Sequence, residues 1–222
     1  MKNWLRDNKG FIAFILLFGV FRGAIADWNP VPSGSMHPNI LEGDVVLVNR
    51  LAYDLKVPFT HTALARLGEP RRGDIVVFNS PQDDVLLIKR LVAVPGDVVE
   101  MRGKRLLING AQADYALLGT STEAADHGMT LPAQQVREQW GDQQRTIQWL
   151  PDLNTASNFG PVTIPADQFL MLGDNRDNSR DSRYIGLVPR HLMKGRAERV
   201  LVSAAILDTW MPRLERFGQS FY

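Results

Sequence analysis

Ser35 stands in a setting that could present a nucleophilic hydroxyl. It belongs to the segment Pro32-Ser33-Gly34-Ser35-Met36, in which proline, glycine and serine exclude a helix and favour a turn. The glycine before it allows another group to approach the backbone closely. A serine hydroxyl attacks a carbonyl carbon only when a base removes its proton, so Ser35 requires a partner. Without such a partner the segment would be an ordinary turn.

Lys89 is the candidate base. It interrupts the apolar run Val85–Val94, and the alternation of a strand would place it on the same face as Leu87 and Leu91. Burial disfavours a charged amine and lowers its pKa, and a neutral amine is able to accept a proton. The alternative interpretation is that Lys89 extends to solvent at a sheet edge, or that Arg90 faces the core instead. The serine motif is what favours the catalytic interpretation.

The segment Gly173–Arg183 is dense in charge. Aspartate, arginine and serine are interleaved in it, as Asp174, Asp177, Asp181, Arg176, Arg180, Arg183, Ser179 and Ser182. Aspartates at this density could hold calcium, but the interleaved arginines and the missing glutamate of a calcium loop argue against a metal site. We therefore predict that paired charges hold this loop rigid, so that a serine hydroxyl within it can orient the lysine amine.

The composition excludes several other classes of protein. The chain has 222 residues, 45% of them hydrophobic and 22% charged, which is usual for a globular protein. It contains no cysteine, and this excludes disulfides, thiolate metal sites and a cysteine nucleophile. The net charge of +1, without a long basic run, gives no reason to expect a nucleic-acid partner.

The N-terminus has the pattern of a transmembrane anchor. Residues 1–9 carry three basic side chains, and residues 10–28 are mostly apolar. A helix over residues 10–26 would span about 25 Å, close to the roughly 30 Å of a bilayer core. The basic flank predicts that residues 1–9 stay cytoplasmic and that residues 29–208 are exported. The alternative is a signal peptide that is itself cleaved after Ala26.

The remaining pattern predicts a mainly β, antiparallel domain. Short β-branched runs recur between Gly, Pro, Asp and Asn residues, namely Val45–Val48, Ile75–Phe78, Val85–Val94, Val98–Met101, Leu106–Ile108, Val162–Ile164 and Phe169–Leu172. The clearest hairpin is Val98–Ile108, which is predicted to turn through Arg102-Gly103-Lys104.

Three parts of the chain differ from that pattern. Residues 111–160 are rich in polar side chains and are interpreted as an insertion, with a short helix at Gln134–Trp140. Arg190–Gly195 is predicted to form a helical turn before a last strand, Val200–Leu207. Residues 209–222 form a tail that either lies in the membrane interface or packs its aromatic side chains on the domain.

The serine, lysine and Gly173–Arg183 motifs, together with Arg72–Phe78, resemble the characteristic boxes of bacterial type I signal peptidases, also called leader peptidases. The resemblance covers roughly residues 10–110 and 160–208. It implies an antiparallel β-rich catalytic domain behind one N-terminal transmembrane helix. It places the protein in the bacterial cytoplasmic membrane, with the catalytic domain on the extracytoplasmic side. It also implies a fold shared with self-cleaving repressors and a flat apolar surface that faces the membrane.

The resemblance further implies a role for each motif residue. Ser35 is the nucleophile and Lys89 is the general base. The Ser33 hydroxyl joins the Ser35 amide in the oxyanion hole, and no metal or cofactor is required. The supporting residues are Ser179, which hydrogen-bonds the lysine, and the ion pair of Asp181 and Arg183.

The implied substrates are precursor proteins whose signal peptides are cleaved after small residues, and the lipid bilayer is the other partner. We expect shallow pockets that admit alanine-sized side chains and reject larger ones by overpacking. The residues expected to line these pockets are Val31, Pro32, Met36, Ile40, Leu87 and Ile88. His37, Asn39 and Leu87 differ from the residues common in the family, and they are expected near the substrate cleft.

Other functions are compatible with parts of the sequence. A self-cleaving repressor uses the same Ser/Lys pair, but it would carry a DNA-reading domain where this chain has its apolar segment. A penicillin-binding protein or β-lactamase needs Ser-x-x-Lys, whereas Pro38 stands three residues after Ser35. A membrane-tethered binding module without catalytic activity, and a peptidase specialised for pilins or for one secreted protein, stay open.

Overall fold

Antiparallel β-strands make up most of the fold, as the sequence predicts. The computed structural model describes residue 4 and residues 7–124 and 130–222. The strands in these ranges are β1 Ala26–Pro30, β2 Asp44–Asn49, β3 Asp54–Lys56, β4 Ala63–Arg66, β5 Ile75–Asn79, β6 Leu86–Ala93, β7 Val98–Arg102, β8 Arg105–Ile108, β9 Ala111–Gln112, β10 Asp114–Ala124, β11 Thr130–Trp140, β12 Gln143–Trp149, β13 Phe159–Thr163, β14 Gln168–Leu172, β15 Val188–Pro189 and β16 Met193–Ser203. The helices are α1 Lys9–Ala24 and α2 Ser182–Ile185, with 3₁₀ turns at Gly34–Met36, Arg190–Leu192 and Leu214–Arg216.

The strands form one large sheet and three smaller ones. The large sheet has the order β1-β2-β16-β5-β6-β14-β15, and neighbouring strands in it are antiparallel. The insertion forms a separate sheet, β10-β11-β12, while β13-β7-β8-β9 form another and β3-β4 a hairpin. Because β5 and β6 lie in the middle of the large sheet, side chains on them start from a rigid backbone.

One apolar cluster lies directly beneath the Gly34–Met36 turn, hereafter the Ser35 turn. In it Met36 and Ile40 pack against Val46 and Ile75 of the large sheet. All four side chains are fully buried. Full burial of a side chain of this size contributes about 1.5–3 kcal/mol, so the segment that follows Ser35 is firmly anchored to the sheet.

The β-branched runs in the sequence predict most of the strands correctly. β2, β5, β6, β7, β8 and β14 each overlap a predicted run, and β13 is displaced by a few residues from the predicted Val162–Ile164. The predicted hairpin is formed by β7 and β8, in which Arg102 pairs with Arg105. Gly103 and Lys104 between them both have positive φ, as required by the two-residue turns whose twist matches the strands.

The predicted helix at Gln134–Trp140 is wrong, because these residues belong to β11, the central strand of the insertion sheet. Val136 and Glu138 alternate as buried positions in this strand. Because Glu138 is charged and lies on the buried face, the strand does not show the alternation of apolar and polar residues from which strands are predicted. The insertion is therefore more regular than its polar composition indicates.

The last strand, β16, begins at Met193 and not at Val200. It follows directly after a single 3₁₀ turn, which is shorter than the helical turn predicted for this place. Lys194 and Arg196 alternate with buried neighbours, so the strand starts before its apolar run. This length allows β16 to pair with both β2 and β5.

Helix α1, Lys9–Ala24, is shorter than the segment predicted as an anchor. It ends where the chain turns into β1, which begins at Ala26 and pairs with β2. Arg22 pairs with Asp27 at 2.9 Å and lies 4.5 Å from the ring centre of Trp28. Among the residues that the structure describes, no helix is long and apolar enough to cross a membrane.

Residues 209–222 return to the large sheet. The Ile75 amide donates a hydrogen bond of 2.6 Å to the Tyr222 hydroxyl, and Phe221 packs on the cluster beneath the Ser35 turn. Of the two alternatives for the tail, packing on the domain therefore holds for these two aromatic residues. Trp210, by contrast, is largely exposed.

Candidate active site

The Ser35 turn is almost completely buried and is held by its backbone. Asn175 donates two hydrogen bonds to the backbone of the turn. Its amide N donates to Ser35 O and its Nδ2 donates to Gly34 O, each at 3.1 Å. Met36 anchors the end of the turn in the core. With the backbone fixed on one side by Asn175 and below by Met36, the Ser35 side chain faces strand β6.

Lys89 lies on β6 with its amine beside the Ser35 hydroxyl. Its Nζ is 2.6 Å from Ser35 Oγ, and it also donates to Ile88 O at 2.9 Å. Lys89 is 3% exposed and Ser35 is 7% exposed. The structure thus brings together, in a site shielded from water, the two residues on which the sequence analysis centres.

The environment of Lys89 changes the acidity of its amine. Burial lowers the pKa of Lys89 from 10.5 to about 8, and the nearby carboxylates of Asp181 and Asp174 oppose this shift only in part. An amine with this pKa is neutral in a large fraction of molecules at mildly alkaline pH. Its lone pair can then accept the proton of Ser35, so the pair can generate a nucleophilic oxygen without a histidine.

Ser33 precedes the turn in an extended conformation. Its Oγ lies 3.5 Å from Ser35 Oγ, on the same side of the turn. A hydroxyl rotates to suit its partner, and this one can reach an oxygen that develops next to Ser35. The position is compatible with the oxyanion role that the resemblance implies.

Ser179 does not make the hydrogen bond to Lys89 that the resemblance implies. Its Oγ is buried, and no residue in the described part of the chain hydrogen-bonds it. The lysine amine is directed to Ser35 and to Ile88 O. Ser179 packs instead on Gly173, where a Cβ would lie 2.2 Å from Ser179 Oγ and 2.6 Å from Ser35 O. The absence of a side chain at Gly173 is what allows the Ser179 segment to approach the Ser35 turn.

The expected ion pair of Asp181 and Arg183 is present and buried. The Arg183 Nε and one terminal nitrogen each donate to a carboxylate oxygen of Asp181 at 2.8 Å. Asp181 also accepts a hydrogen bond of 3.0 Å from Gly173 N, and Arg183 donates to Arg176 O. The pair therefore joins the two ends of the Gly173–Arg183 loop.

Two other aspartates of the loop, Asp174 and Asp177, form ion pairs with basic side chains from other segments. These pairs confirm that paired charges hold the loop. Arg90 donates two hydrogen bonds, of 2.8 and 2.7 Å, to Asp174. Lys104 lies 2.9 Å from Asp177. Because Arg90 follows Lys89 on β6, the pair with Asp174 fixes the position of the loop relative to the lysine.

Glu138 joins this loop to the insertion sheet, and no local sequence signal indicates it. Arg176 donates to both of its oxygens at 2.6 and 2.5 Å, while Arg145 and Tyr115 donate at 2.5 and 2.8 Å. Burial alone would raise the pKa of Glu138, but the two arginines outweigh it and hold the pKa well below its usual range. The carboxylate therefore remains charged in the interior.

Removal of the Glu138 charge should weaken the fold strongly. Glu138→Gln leaves two buried guanidinium groups without a counter-ion, and we expect the free energy of unfolding to fall by about 3–5 kcal/mol. The matched control is Glu100→Gln, because the partner of Glu100 is the exposed Arg102. Its expected loss is below about 1 kcal/mol. Urea unfolding followed by circular dichroism measures both, and equal losses would contradict a special role of the buried pair.

Four of the six residues expected in the substrate pocket line one cleft beside the Ser35 turn. Val31, Pro32, Leu87 and Ile88 surround a cavity of about 40 Å³, which also touches Asn29, Pro30, Val46, Val77 and Leu86. The prediction was wrong for Met36 and Ile40, which are fully buried in the core. Ile40 N donates to Met36 O, and this tight turn directs both side chains inward.

His37 and Asn39 do not shape the cleft, contrary to expectation. Asn39 Nδ2 donates at 2.7 Å both to Thr146 O and to Asp174 Oδ2. His37 lies between two carboxylates on the side of the insertion sheet. Both residues connect the segment after Ser35 to other elements and leave the cleft to the residues before it.

The chain is similar to several known proteins. The sequence profile of the family described as signal peptidase, peptidase S26, matches residues 2–202. Signal peptidase I of Pseudomonas fluorescens is 35% identical over 208 residues, which are 88% of this chain and 72% of that protein. Signal peptidase I of Pseudomonas aeruginosa is 33% identical over 96% of this chain and 76% of that protein. A crystal structure of a signal peptidase I from Enterococcus faecalis, 27% identical, matches 58% of this chain and 96% of its own with a TM-score of 0.34.

Proposed function

Because the chain belongs to the signal peptidase family, peptidase S26, and is a serine peptidase of the signal peptidase I type, we propose that Ser35 and Lys89 are its catalytic pair. The observation that carries the proposal is the distance of 2.6 Å between Lys89 Nζ and Ser35 Oγ, in a site where both residues are buried. Burial makes the lysine a base, and the fixed turn makes the serine a positioned nucleophile.

In the first half of the reaction Ser35 Oγ attacks the carbonyl carbon of the scissile bond while neutral Lys89 takes its proton. The Ser35 amide and the Ser33 hydroxyl donate to the negative oxygen, and one such donor typically contributes about 3 kcal/mol. The protonated Lys89 then gives its proton to the leaving amine. Water, deprotonated by the same lysine, releases the acyl group and restores Ser35.

The substrate binds in an extended conformation against β6. β14 pairs with β6 only from Arg90 onward, and in the described part of the chain no strand pairs with Leu86–Ile88 on that side. An extended peptide can add to this open edge by backbone hydrogen bonds. The segment Val31–Ser33 forms the opposite wall of the cleft, so the peptide passes directly beside Ser35.

The cleft selects small side chains. Its volume of about 40 Å³ and its apolar lining by residues such as Val31 and Ile88 admit an alanine-sized group. A larger side chain overpacks the site, and each change of methylene size discriminates by about 1–3 kcal/mol. Signal peptides that end in small residues are the substrates that fit these walls.

The apolar N-terminal segment anchors the protein in the bacterial cytoplasmic membrane, with residues 1–9 inside and residues 29–208 outside. Phe11, Phe14 and Leu17 on α1 are each at least 60% exposed, and together they leave an apolar surface that water does not solvate well. The basic residues before α1 favour this orientation. The anchor would hold the active site near the membrane surface, where exported precursors emerge.

A liposome assay tests these statements together. The full chain, reconstituted in liposomes and washed at alkaline pH, should cleave a purified precursor after an alanine, as measured by the masses of both products. Changing that alanine to leucine in the precursor should lower kcat/KM by at least about tenfold. Absence of cleavage would indicate a binding module without catalysis. Activity that leaves the liposomes with the wash would contradict the anchor.

A further inference from the structure

A buried polar cluster lies against Gly34 of the Ser35 turn. His37 is at its centre, with both ring nitrogens directed at carboxylates. Nδ1 lies 2.9 Å from each oxygen of Glu123, and Nε2 lies 2.6 Å from Glu42 Oε2. The three side chains are 16%, 8% and 17% exposed, respectively. None of them takes part in the reaction described above.

Between two ionised carboxylates, this geometry favours a ring that is protonated on both nitrogens. A neutral imidazole has one N–H group and could satisfy only one carboxylate, whereas imidazolium donates from both nitrogens. Burial alone would lower the pKa of His37, but the hydrogen bonds to Glu123 and Glu42 outweigh it and raise the pKa to about 9. Among the described residues, Arg213 also lies beside the cluster and donates to the backbone oxygen of Glu42 at 2.9 Å.

The cluster is connected to the backbone that carries Ser35. Glu123 Oε1 accepts a hydrogen bond of 3.1 Å from Asn175 Nδ2, the same group that donates to Gly34 O at 3.1 Å. The Asn175 amide in turn donates to Ser35 O. Glu123 therefore fixes Asn175, whose side chain holds Gly34 O and whose backbone amide holds Ser35 O.

Gly34 brings the turn into direct contact with the same cluster. A Cβ on Gly34 would lie 2.7 Å from Glu42 Oε1, 2.9 Å from His37 Cε1 and 3.0 Å from Glu123 Oε1. No gap separates the turn from the charged groups. A change in the arrangement of the ring and its carboxylates would therefore be felt first at Gly34, the residue that precedes Ser35.

Glu123 belongs to the insertion sheet and not to the sheet that carries Lys89. It lies at the end of β10, and Gln148 of β12 donates to its Oε2 at 2.9 Å. His37 and Glu123 are 86 positions apart in the sequence. The insertion thus supplies a carboxylate that contacts the Ser35 turn.

We propose that His37 and Glu123 are positioning residues for Ser35, and that loss of a proton from the doubly hydrogen-bonded His37 ring turns the peptidase off at alkaline pH. The proposal rests on the proposed role of Ser35. Below about pH 9 the imidazolium donates to both carboxylates and the turn is held. Above it, one ring nitrogen presents a lone pair to a carboxylate oxygen at hydrogen-bond distance. The resulting repulsion loosens Gly34, and with it the amide and hydroxyl of Ser35.

The two titrations act in opposite directions. Activity should rise with pH as Lys89 loses its proton near pH 8, and it should fall as His37 loses its own near pH 9. The wild-type profile is therefore a bell with a narrow maximum. The descending limb belongs to His37, and it should change when this residue or Glu123 is replaced.

The test is the pH dependence of kcat and KM for the full-length protein in detergent, with a purified precursor. The side chain introduced by His37→Gln cannot titrate, so the descending limb should disappear and leave an alkaline plateau. On that plateau kcat should be about tenfold or more below the wild-type maximum, with KM little changed. Glu123→Gln removes one carboxylate and should shift the limb to lower pH. The control is His191→Gln, at an exposed histidine away from the cluster, which should leave the profile unchanged.

Two results would overturn the proposal: a descending limb at the wild-type pH in His37→Gln, or an unshifted limb in Glu123→Gln. A merely structural role would lower kcat at every pH without moving a limb. The more conservative Glu123→Gln keeps the test decisive if His37→Gln does not fold. If the catalytic assignment itself is wrong, Ser35→Ala will remain active. This result is independent of the pH profiles of the His37 and Glu123 variants, so the two failures can be distinguished.

Discussion

Replacement of Ser35 with alanine should abolish precursor cleavage while the protein remains folded. The change removes only the hydroxyl that lies 2.6 Å from Lys89 Nζ. Without it no acyl-enzyme can form. In serine proteases, removal of the serine nucleophile alone lowers kcat by roughly 10⁶-fold. The remaining contacts of the turn are made by its backbone and by the Met36 side chain, so the urea midpoint should change little.

Ser33→Ala is the matched control for this experiment. It removes a hydroxyl two residues earlier in the same segment, and Ser33 is proposed as an oxyanion donor only. Loss of one such donor typically lowers kcat about 10²–10³-fold and leaves measurable cleavage. If Ser35→Ala retained more activity than Ser33→Ala, the assignment of the nucleophile would be wrong.

The second large effect concerns Lys89. Lys89→Arg keeps the positive charge, but a guanidinium does not lose its proton in the accessible pH range. We therefore expect cleavage to fall by roughly 10²–10⁴-fold, the contribution of a general base. In the wild type the rate should rise with pH through about 8, because the neutral amine is the active form. An active Lys89→Arg protein would contradict the proposed base even if Ser35 proved essential.

Lys89 should also lower the stability of the folded protein, because its charged form is buried. The pKa of Lys89 is lowered on folding from 10.5 to about 8, so its charged form is disfavoured in the folded protein. Below pH 8 the full penalty applies, and it disappears as pH rises to 10.5. Lys89→Met should therefore be inactive yet more stable at pH 7, by up to about 3 kcal/mol. This gain should shrink across the window from pH 8 to 10.5.

The proximity of Ser35 and Lys89, the proposed catalytic pair, could be predicted from sequence because the signals are local. A serine after glycine in a turn, and a lysine within an apolar strand, are visible in short segments, and the charged loop Gly173–Arg183 confirms its predicted role as a lattice of ion pairs. The strands were likewise visible wherever β-branched residues stood between turn residues.

The errors arise where a long-range contact overrides the local pattern. Glu138 interrupts the alternation of β11, and its burial makes sense only with Arg176 and Arg145, which approach from elsewhere in the chain. Met36 looks like a cleft residue from its position next to Ser35, but the 3₁₀ turn directs it into the core. Glu123 stands in a polar stretch without any motif, and its contact with the Ser35 turn exists only after the insertion has folded back.

The hydrogen bond expected between Ser179 and Lys89 is not formed. The resemblance implies a bond to Lys89, whereas the structure places the Ser179 hydroxyl against Gly173 without a partner in the described residues. A buried hydroxyl in this condition costs about 1–3 kcal/mol. The position of the Ser179 side chain depends on how closely two loops approach, and sequence patterns carry no information at that scale.

Chemical replacement of the lysine tests the central claim most directly. The chain has no cysteine, so Lys89→Cys introduces a single thiol that can be alkylated with bromoethylamine in denaturant before refolding. The product carries an amine at nearly the position of Lys89 Nζ, with a pKa lowered by the adjacent sulfur. The pair of Ser35 and Lys89 predicts that Lys89→Cys is inactive, that alkylation restores cleavage, and that the ascending limb moves to lower pH. Wild-type protein taken through the same treatment is the control. Restored cleavage with an unmoved limb, or no restoration in a correctly refolded protein, would contradict the claim that Lys89 is the base.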